Sequence, residues 1–287
     1  MTIETYSDLN ALASGVANRI ADVARRAIAA RGRCTIALAG GSTPRPIYQQ
    51  LAAANDIDWQ WVTLFWGDER CVPPDHQDSN FHMAQETLLA QVAIPAAQIF
   101  RMRGEGEPQA AASAYTRDLM QVFGGDPQSG PPPEGFDLIL LGMGSDGHTA
   151  SLFPGTPAVD EQQAWVVAQH VPHVDAWRIT LTYPVINAAH NVVFAVAGAD
   201  KAARVQEILA STGQPGALPA ARVQPAGDLI WALDQAAAAH ASVRAPPATH
   251  VRARMQRPKA TESAHAAPEK LGHLKQRATN SRPPSTP

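Results

Sequence analysis

Only two cysteines, Cys34 and Cys71, occur in 287 residues, too few for a disulfide framework. Cys34 enters an apolar run and Cys71 follows an acidic-basic cluster, so neither belongs to a metal-ligand pattern. His76, His82, His170 and His173 also lack ligand spacing, and no metal site is expected. The nucleophile elbow G-x-S-x-G is absent, which excludes the Ser-His-Asp hydrolases built on it. The Gly40-Gly41-Ser42-Thr43 stretch is neither the Walker sequence nor the dinucleotide pattern G-x-G-x-x-G. No apolar run approaches the length of a membrane span, and no internal repeat occurs. Met1-Thr2-Ile3-Glu4-Thr5 lacks the basic start and apolar stretch of a signal peptide. These absences predict a reducing cytoplasmic setting and no membrane partner.

Hydrophobic residues make up 45% of the chain, enough for a sizeable core, and much of that is alanine, which favours helices. The formal charge of −3 hides an asymmetry: nine Lys/Arg and two Glu follow residue 240, leaving 14 basic and 24 acidic residues before it. An anionic ligand of the acidic body must therefore be held by local cations. Nucleic-acid binding by that body is not expected. Beyond about His240 the apolar periodicity stops, and Ala245-Pro246-Pro247 and Arg282-Pro283-Pro284 stand among scattered Ser, Thr and Arg. The composition predicts one domain over 1–240 and a basic, disordered tail over 241–287.

Along the body, helical spacing runs from Ser7, a candidate cap, to Ala30. A strand follows at Arg33–Ala39, then Gly40-Gly41-Ser42-Thr43-Pro44 and a helix to Leu51, with Pro44 in the first turn. Further strands are predicted at Trp61–Trp66, Ile99–Met102, Ala164–Gln169, Trp177–Thr182, Asn191–Ala197 and Leu229–Leu233. Helices are predicted from Asp78-Ser79-Asn80 to Val92, over Pro108–Phe123 and over Ala199–Ala210, with Asp234 capping a final one. Strands alternating with helices predict an α/β fold with a doubly wound, mostly parallel sheet.

The most informative stretch is Phe136–Ser151. A continuous apolar run, the mark of a strand buried on both faces, breaks into glycines, Asp146 and His148. Open α/β sheets bind ligands at such strand ends, and an unperturbed imidazole titrates near neutrality. Asp146 is placed to orient His148. Gly40-Gly41-Ser42-Thr43, between a strand and a helix start, reads either as an oxyanion or phosphate cradle or as a tight turn. Asp68-Glu69-Arg70 reads as a surface ion-pair cluster or, at another strand end, as a ligand site in which Arg70 clamps an anion. Lys201 is either a solvated helix residue or a point charge for phosphate. With neither nucleophile elbow nor metal pattern, general acid–base work by His148 is what remains.

GGSTP at Gly40–Pro44, FWGDERCVPPDHQDSN at Phe65–Asn80, FDLILLGMGSDGHTASLFPG at Phe136–Gly155, RITLT at Arg178–Thr182 and VAGADKA at Val196–Ala202 resemble, in order and spacing, the 6-phosphogluconolactonase family. The resemblance covers about residues 5–240. It implies a Rossmann-like sheet with helices on both faces, as in the glucosamine-6-phosphate deaminase superfamily. It also implies hydrolysis of 6-phospho-D-glucono-1,5-lactone in the oxidative pentose phosphate pathway, without cofactor or metal, by a monomer or small homo-oligomer. His148 matches the family's proposed general base. Gly40, Gly41, Ser42, Thr43, Asp68, Arg70 and Lys201 match substrate-binding positions, and Arg178 joins them.

Two other readings compete. A sugar-phosphate isomerase or deaminase of the same superfamily would use Asp68 as its carboxylate base. Such enzymes typically carry Asp-Glu-Tyr where this chain has Asp68-Glu69-Arg70, and Phe-Asn-Glu-Pro-Gly where it has Ser151-Leu152-Phe153-Pro154-Gly155. A non-catalytic sugar-phosphate sensor would have no need of His148.

Overall fold

The computed structural model describes residues 1–54, 56–214 and 216–241; the basic tail, from residue 242 on, lies outside the described residues. The chain starts with β1 (Thr2–Tyr6), α1 (Leu9–Arg31), β2 (Cys34–Leu38), α2 (Pro44–Ala53), β3 (Val62–Trp66), β4 (Asp68–Arg70) and α3 (Asn80–Thr87). It continues through α4 (Pro108–Phe123), β5 (Leu138–Leu141), β6 (Val166–Val171), β7 (Ala176–Leu181), α5 (Tyr183–Ile186), β8 (Asn191–Val196), α6 (Ala202–Ser211) and β9 (Asp228–Asp234). Six strands form a wholly parallel sheet in the order β1-β9-β8-β5-β2-β3. Among the described residues, no helix is long and apolar enough to cross a membrane.

Successive residues of these strands are buried on opposite faces, as the two-residue period demands. Ile36, Leu38, Leu138, Leu140 and Val193 pack with the apolar stripes of α1 and α2. Ala37, Ile139, Leu141, Phe194 and Trp231 turn the other way, toward α4 and α6. Helices on both faces explain why the strands read as continuous apolar runs.

Several expectations need correction. The strand β1 was not anticipated; its register beside β9 brings Tyr6 opposite Asp234. Asp8 rather than Ser7 caps α1, accepting from the Ala11 N–H at 2.8 Å, while the Ser7 hydroxyl bonds to Asp8. Ile99 makes one parallel bridge to Leu64 and no strand forms there. The helix from Asn80 ends at Thr87 and gives way to a 3-10 turn at Leu89–Gln91. Asp234 caps no helix; its carboxylate accepts from Ala237 and from Gly198, fixing a turn and the loop after β8. Finally, β4, β7 and β6 leave the main sheet and form a separate antiparallel sheet.

One buried residue ties four elements at the end of the parallel sheet opposite the glycine loops. Asp137, just before β5, accepts from the Thr35 N–H (2.8 Å) and from Arg31 at the end of α1. Its own carbonyl accepts from Asn191 of β8 at 2.8 Å. Removing the carboxylate strands a buried strand N–H, so Asp137→Ala should lower the unfolding free energy by about 1.5–3 kcal/mol, measured in urea. Asp137→Asn, which keeps an acceptor, should lose less.

Candidate active site

The strand order reverses between β2 and β5: the chain leaves β2 for β3 on one side, and β5, β8 and β9 follow on the other. Such a switch point leaves a crevice beyond the carboxyl ends of the strands. A cleft of about 530 Å³ lies there, walled by the loops after β2, β3, β5 and β8. All ten residues singled out from the sequence line it: Gly40, Gly41, Ser42, Thr43, Asp68, Arg70, Asp146, His148, Arg178 and Lys201.

The glycine loop after β2 ends in α2, whose cap residue Thr43 makes no side-chain capping bond. Pro44 and Pro46 carry no N–H, so the N–H groups of the loop itself, that of Arg45 and the two hydroxyls are what this turn offers an anion. Gly41 sits at φ +97°, outside the range of other residues. Gly40 is required for a different reason: a Cβ there would fall 1.8 Å from the Asn80 amide oxygen.

After β3 the chain passes Gly67 and enters β4, which carries the acidic-basic cluster. Strand alternation splits that cluster. Glu69 is buried and accepts from the N–H groups of Asn80 (2.8 Å) and Phe81 (2.9 Å), the first turn of α3. Burial pushes its carboxyl upward, against the pull of those N–H groups and that of Arg70. Asp68 lines the cleft, accepting from the Ser151 hydroxyl at 2.7 Å and from the Asn80 amide at 3.3 Å. Arg70 stands opposite Arg178 of β7 in the antiparallel register. Carbonyls hold both guanidiniums: Asp78 accepts from Arg70 at 2.5 Å and Trp177 from Arg178 at 3.1 Å. Burial, and then the neighbouring Arg70, lower the Arg178 pKa from its ordinary value. Two like charges crowded in this way favour an anion between them.

The loop after β5 presents the imidazole. His148 Nδ1 lies 2.6 Å from Asp146 Oδ1, which also accepts the His148 backbone N–H at 3.1 Å. Gly144 makes room for the ring, because a Cβ there would meet Nδ1 at 2.1 Å. Burial raises the Asp146 carboxyl, but the bonds and charge of His148 outweigh it and leave the pKa below the usual value. Lys201 ends the 3-10 turn Ala199–Lys201 before α6 and pairs with Asp200 at 3.3 Å. Among the described residues, no group of three or more His, Cys, Asp and Glu is placed to hold a metal ion.

Sequence reasoning missed Asn80, Ser151, Phe153 and His173, which also line the cleft. Asn80 and Ser151 lie within recognised motifs, yet nothing in their spacing shows that both reach Asp68. Phe153 also lies within a recognised motif, where nothing in its spacing shows that it meets the imidazole, and His173 lies outside every motif.

A switch-point cleft with concentrated positive charge and a carboxylate-oriented imidazole defines an α/β enzyme of small anionic substrates. The chain belongs to the family of glucosamine-6-phosphate isomerases and 6-phosphogluconolactonases, whose model matches residues 7–231. It is 41% identical over 243 residues to a 6-phosphogluconolactonase of Nostoc sp., covering 84% of this chain and 99% of that protein. A 6-phosphogluconolactonase of Synechocystis sp. is 47% identical over 214 residues, covering 74% of this chain and 86% of the relative. The solved 6-phosphogluconolactonase of Trypanosoma brucei superposes with a TM-score of 0.73 at 31% identity, over 84% of this chain and 98% of that one.

The lowered Asp146 pKa has a consequence for acid stability. A carboxyl depressed by folding adds stability above its unfolded pKa, and that stability is lost as pH falls through the folded value. Asp146→Asn should therefore remove part of the acid dependence of the melting temperature below about pH 4, the ordinary aspartate range, and leave the neutral region flat.

Proposed function

We infer that this chain hydrolyses 6-phospho-D-glucono-1,5-lactone to 6-phospho-D-gluconate, the lactone-opening step of the oxidative pentose phosphate pathway. The observation that carries the reading is the Asp146-oriented His148 facing the same cleft as Arg70, Arg178 and Lys201. A δ-lactone is already activated, so orienting it and moving one proton suffice. Arg178, Arg70 and Lys201 hold the phosphate together with the N–H groups and hydroxyls of Gly40–Thr43. Asp68, fixed by Ser151 and Asn80, accepts from a sugar hydroxyl.

Asp146 takes the Nδ1 proton in a hydrogen bond, so Nε2 carries the lone pair. A water gives its proton to Nε2 as its oxygen bonds to the lactone carbonyl carbon, and the carbonyl electron pair moves onto oxygen. When the tetrahedral adduct collapses, the bond to the ring oxygen breaks and Nε2 returns the proton to that oxygen. The carboxylic acid formed then ionises. Water and lactone are consumed, the hydroxy acid is released, and His148 ends as it began.

The isomerase or deaminase reading is weaker on this geometry. Both oxygens of Asp68 are engaged by protein donors, and Arg70 stands where the deaminases typically have tyrosine. A cytoplasmic setting suits a chain whose two cysteines are both free.

Turnover is measured with freshly prepared 6-phosphogluconolactone, corrected for spontaneous hydrolysis. His148→Ala should lower kcat by about 10²–10⁴-fold with little change in KM; a near-normal kcat would remove His148 from the base role. Unphosphorylated gluconolactone forgoes charge-assisted bonds worth about 1.5–3 kcal/mol each, so its kcat/KM should be lower by at least ~100-fold. Equal efficiency on the two lactones would remove the phosphate site.

A further inference from the structure

The imidazole of His148 has a second contact besides Asp146. The Phe153 ring lies against it, with centroids 4.1 Å apart and planes tilted by 35°. Phe153 is buried, and its other neighbour is His173, which meets it nearly edge-on at 5.0 Å and 69°. His173 belongs to the tip of the β6–β7 hairpin, far away in sequence. There a 3-10 turn at Pro172–Val174 leads into Asp175 at φ +45°, braced by a 3.1 Å contact between His170 and Asp175. His173, Phe153 and His148 thus form a continuous row of contacting rings along one wall of the cleft.

The chain takes an unusual path to build this row. Between His148 and Phe153, the Leu152 N–H closes a turn onto the Thr149 carbonyl at 2.9 Å, while the Thr149 hydroxyl donates to the Gly142 carbonyl at 2.8 Å. Ala150 in that turn sits at φ +48°, a left-handed conformation that a residue with a Cβ rarely adopts. Surroundings must over-determine such a turn for it to persist, and its effect is to fold Phe153 back over the imidazole.

We propose that Phe153, backed by His173 from the hairpin tip, is a positioning residue that fixes the plane of the His148 ring. The carboxylate of Asp146 constrains the direction of Nδ1 but leaves rotation about that hydrogen bond. A flat hydrocarbon surface against the ring removes that freedom and keeps Nε2 directed into the cleft. In this account His173 works through its ring edge on Phe153 and neither transfers a proton nor touches the substrate. The proposal rests on the assignment of His148 as the base.

The test uses the full chain and 6-phosphogluconolactone. Phe153→Leu keeps an apolar side chain but loses the flat face; kcat should fall about tenfold to a hundredfold, the range for a small misplacement of a reacting group, with KM within about twofold. His173→Ala should lower kcat less, and His173→Phe, which restores a ring edge without a titratable group, should recover it. In nuclear magnetic resonance spectra, the hydrogen-bonded Nδ1 proton of His148 should be sharp in the wild type and broadened in Phe153→Leu and His173→Ala. A kcat unchanged in Phe153→Leu overturns the proposal. So does His173→Phe being as impaired as His173→Ala, since the imidazole itself would then be needed. Losses confined to KM do the same, because they mark a substrate contact. If Phe153→Leu fails to fold, the two His173 variants decide. A near-normal kcat in His148→Ala would instead sink the base assignment; an impaired His148→Ala beside fully active Phe153 and His173 variants would sink this proposal alone.

Discussion

Backbone hydrogen bonding at the ends of parallel strands is the constraint on which the site depends. A strand that leaves the sheet at its carboxyl end exposes N–H and C=O groups to an apolar interior, and these must find partners. Two tyrosines supply them. Tyr48 of α2 donates to the Ala39 carbonyl at 2.7 Å and accepts from the Ala39 N–H at 2.8 Å, just before the glycine loop. Tyr115 of α4 treats Trp66 in the same way, at 3.0 and 2.7 Å, just before Gly67 and Asp68. Burial raises the pKa of both phenols, so they remain protonated donors. One phenol from each face of the sheet thus holds the point at which a substrate loop begins.

From those fixed points the electrostatics follow. The first 240 residues are acidic by ten charges, a poor general environment for a phosphate ester. The chain overcomes this locally, by pairing β4 with β7 so that Arg70 and Arg178 face each other, and by ending β8 in a turn that carries Lys201. Asp200 pairs with Lys201, but the two carboxylates beside Arg70 are engaged elsewhere. Glu69 is turned inward to the start of α3, and Asp68 is held by Ser151 and Asn80. Strand alternation therefore turns Glu69 away from the face that Asp68 and Arg70 share, and both of these line the cleft.

The imidazole depends on steric allowances as much as on charge. Gly144 leaves the space that the ring occupies, and the left-handed turn at Ala150 returns Phe153 to its side. Neither feature contributes a polar group, yet together they determine where the imidazole of His148 can stand.

The sequence by itself determined the chemistry of the four loops and the strands that carry them. Those signals are local: an apolar run followed by glycines, a proline in a first helical turn, an imidazole two residues after a carboxylate. Nine of the ten residues read in this way meet in one cleft because the parallel strands β2, β3, β5 and β8 end on the same side; Arg178 joins them from β7 of the antiparallel sheet. Tertiary structure alone decided what depends on register between distant segments. Nothing near Arg70 in sequence shows that it will face Arg178, because their meeting requires β4 to leave the main sheet and pair with a strand more than a hundred residues away. Likewise, Ser151 and Asn80 reach Asp68, and His173 reaches Phe153, across gaps that no spacing rule connects. Side-chain periodicity reports which face a residue occupies; which other face it will meet is set by packing the whole sheet.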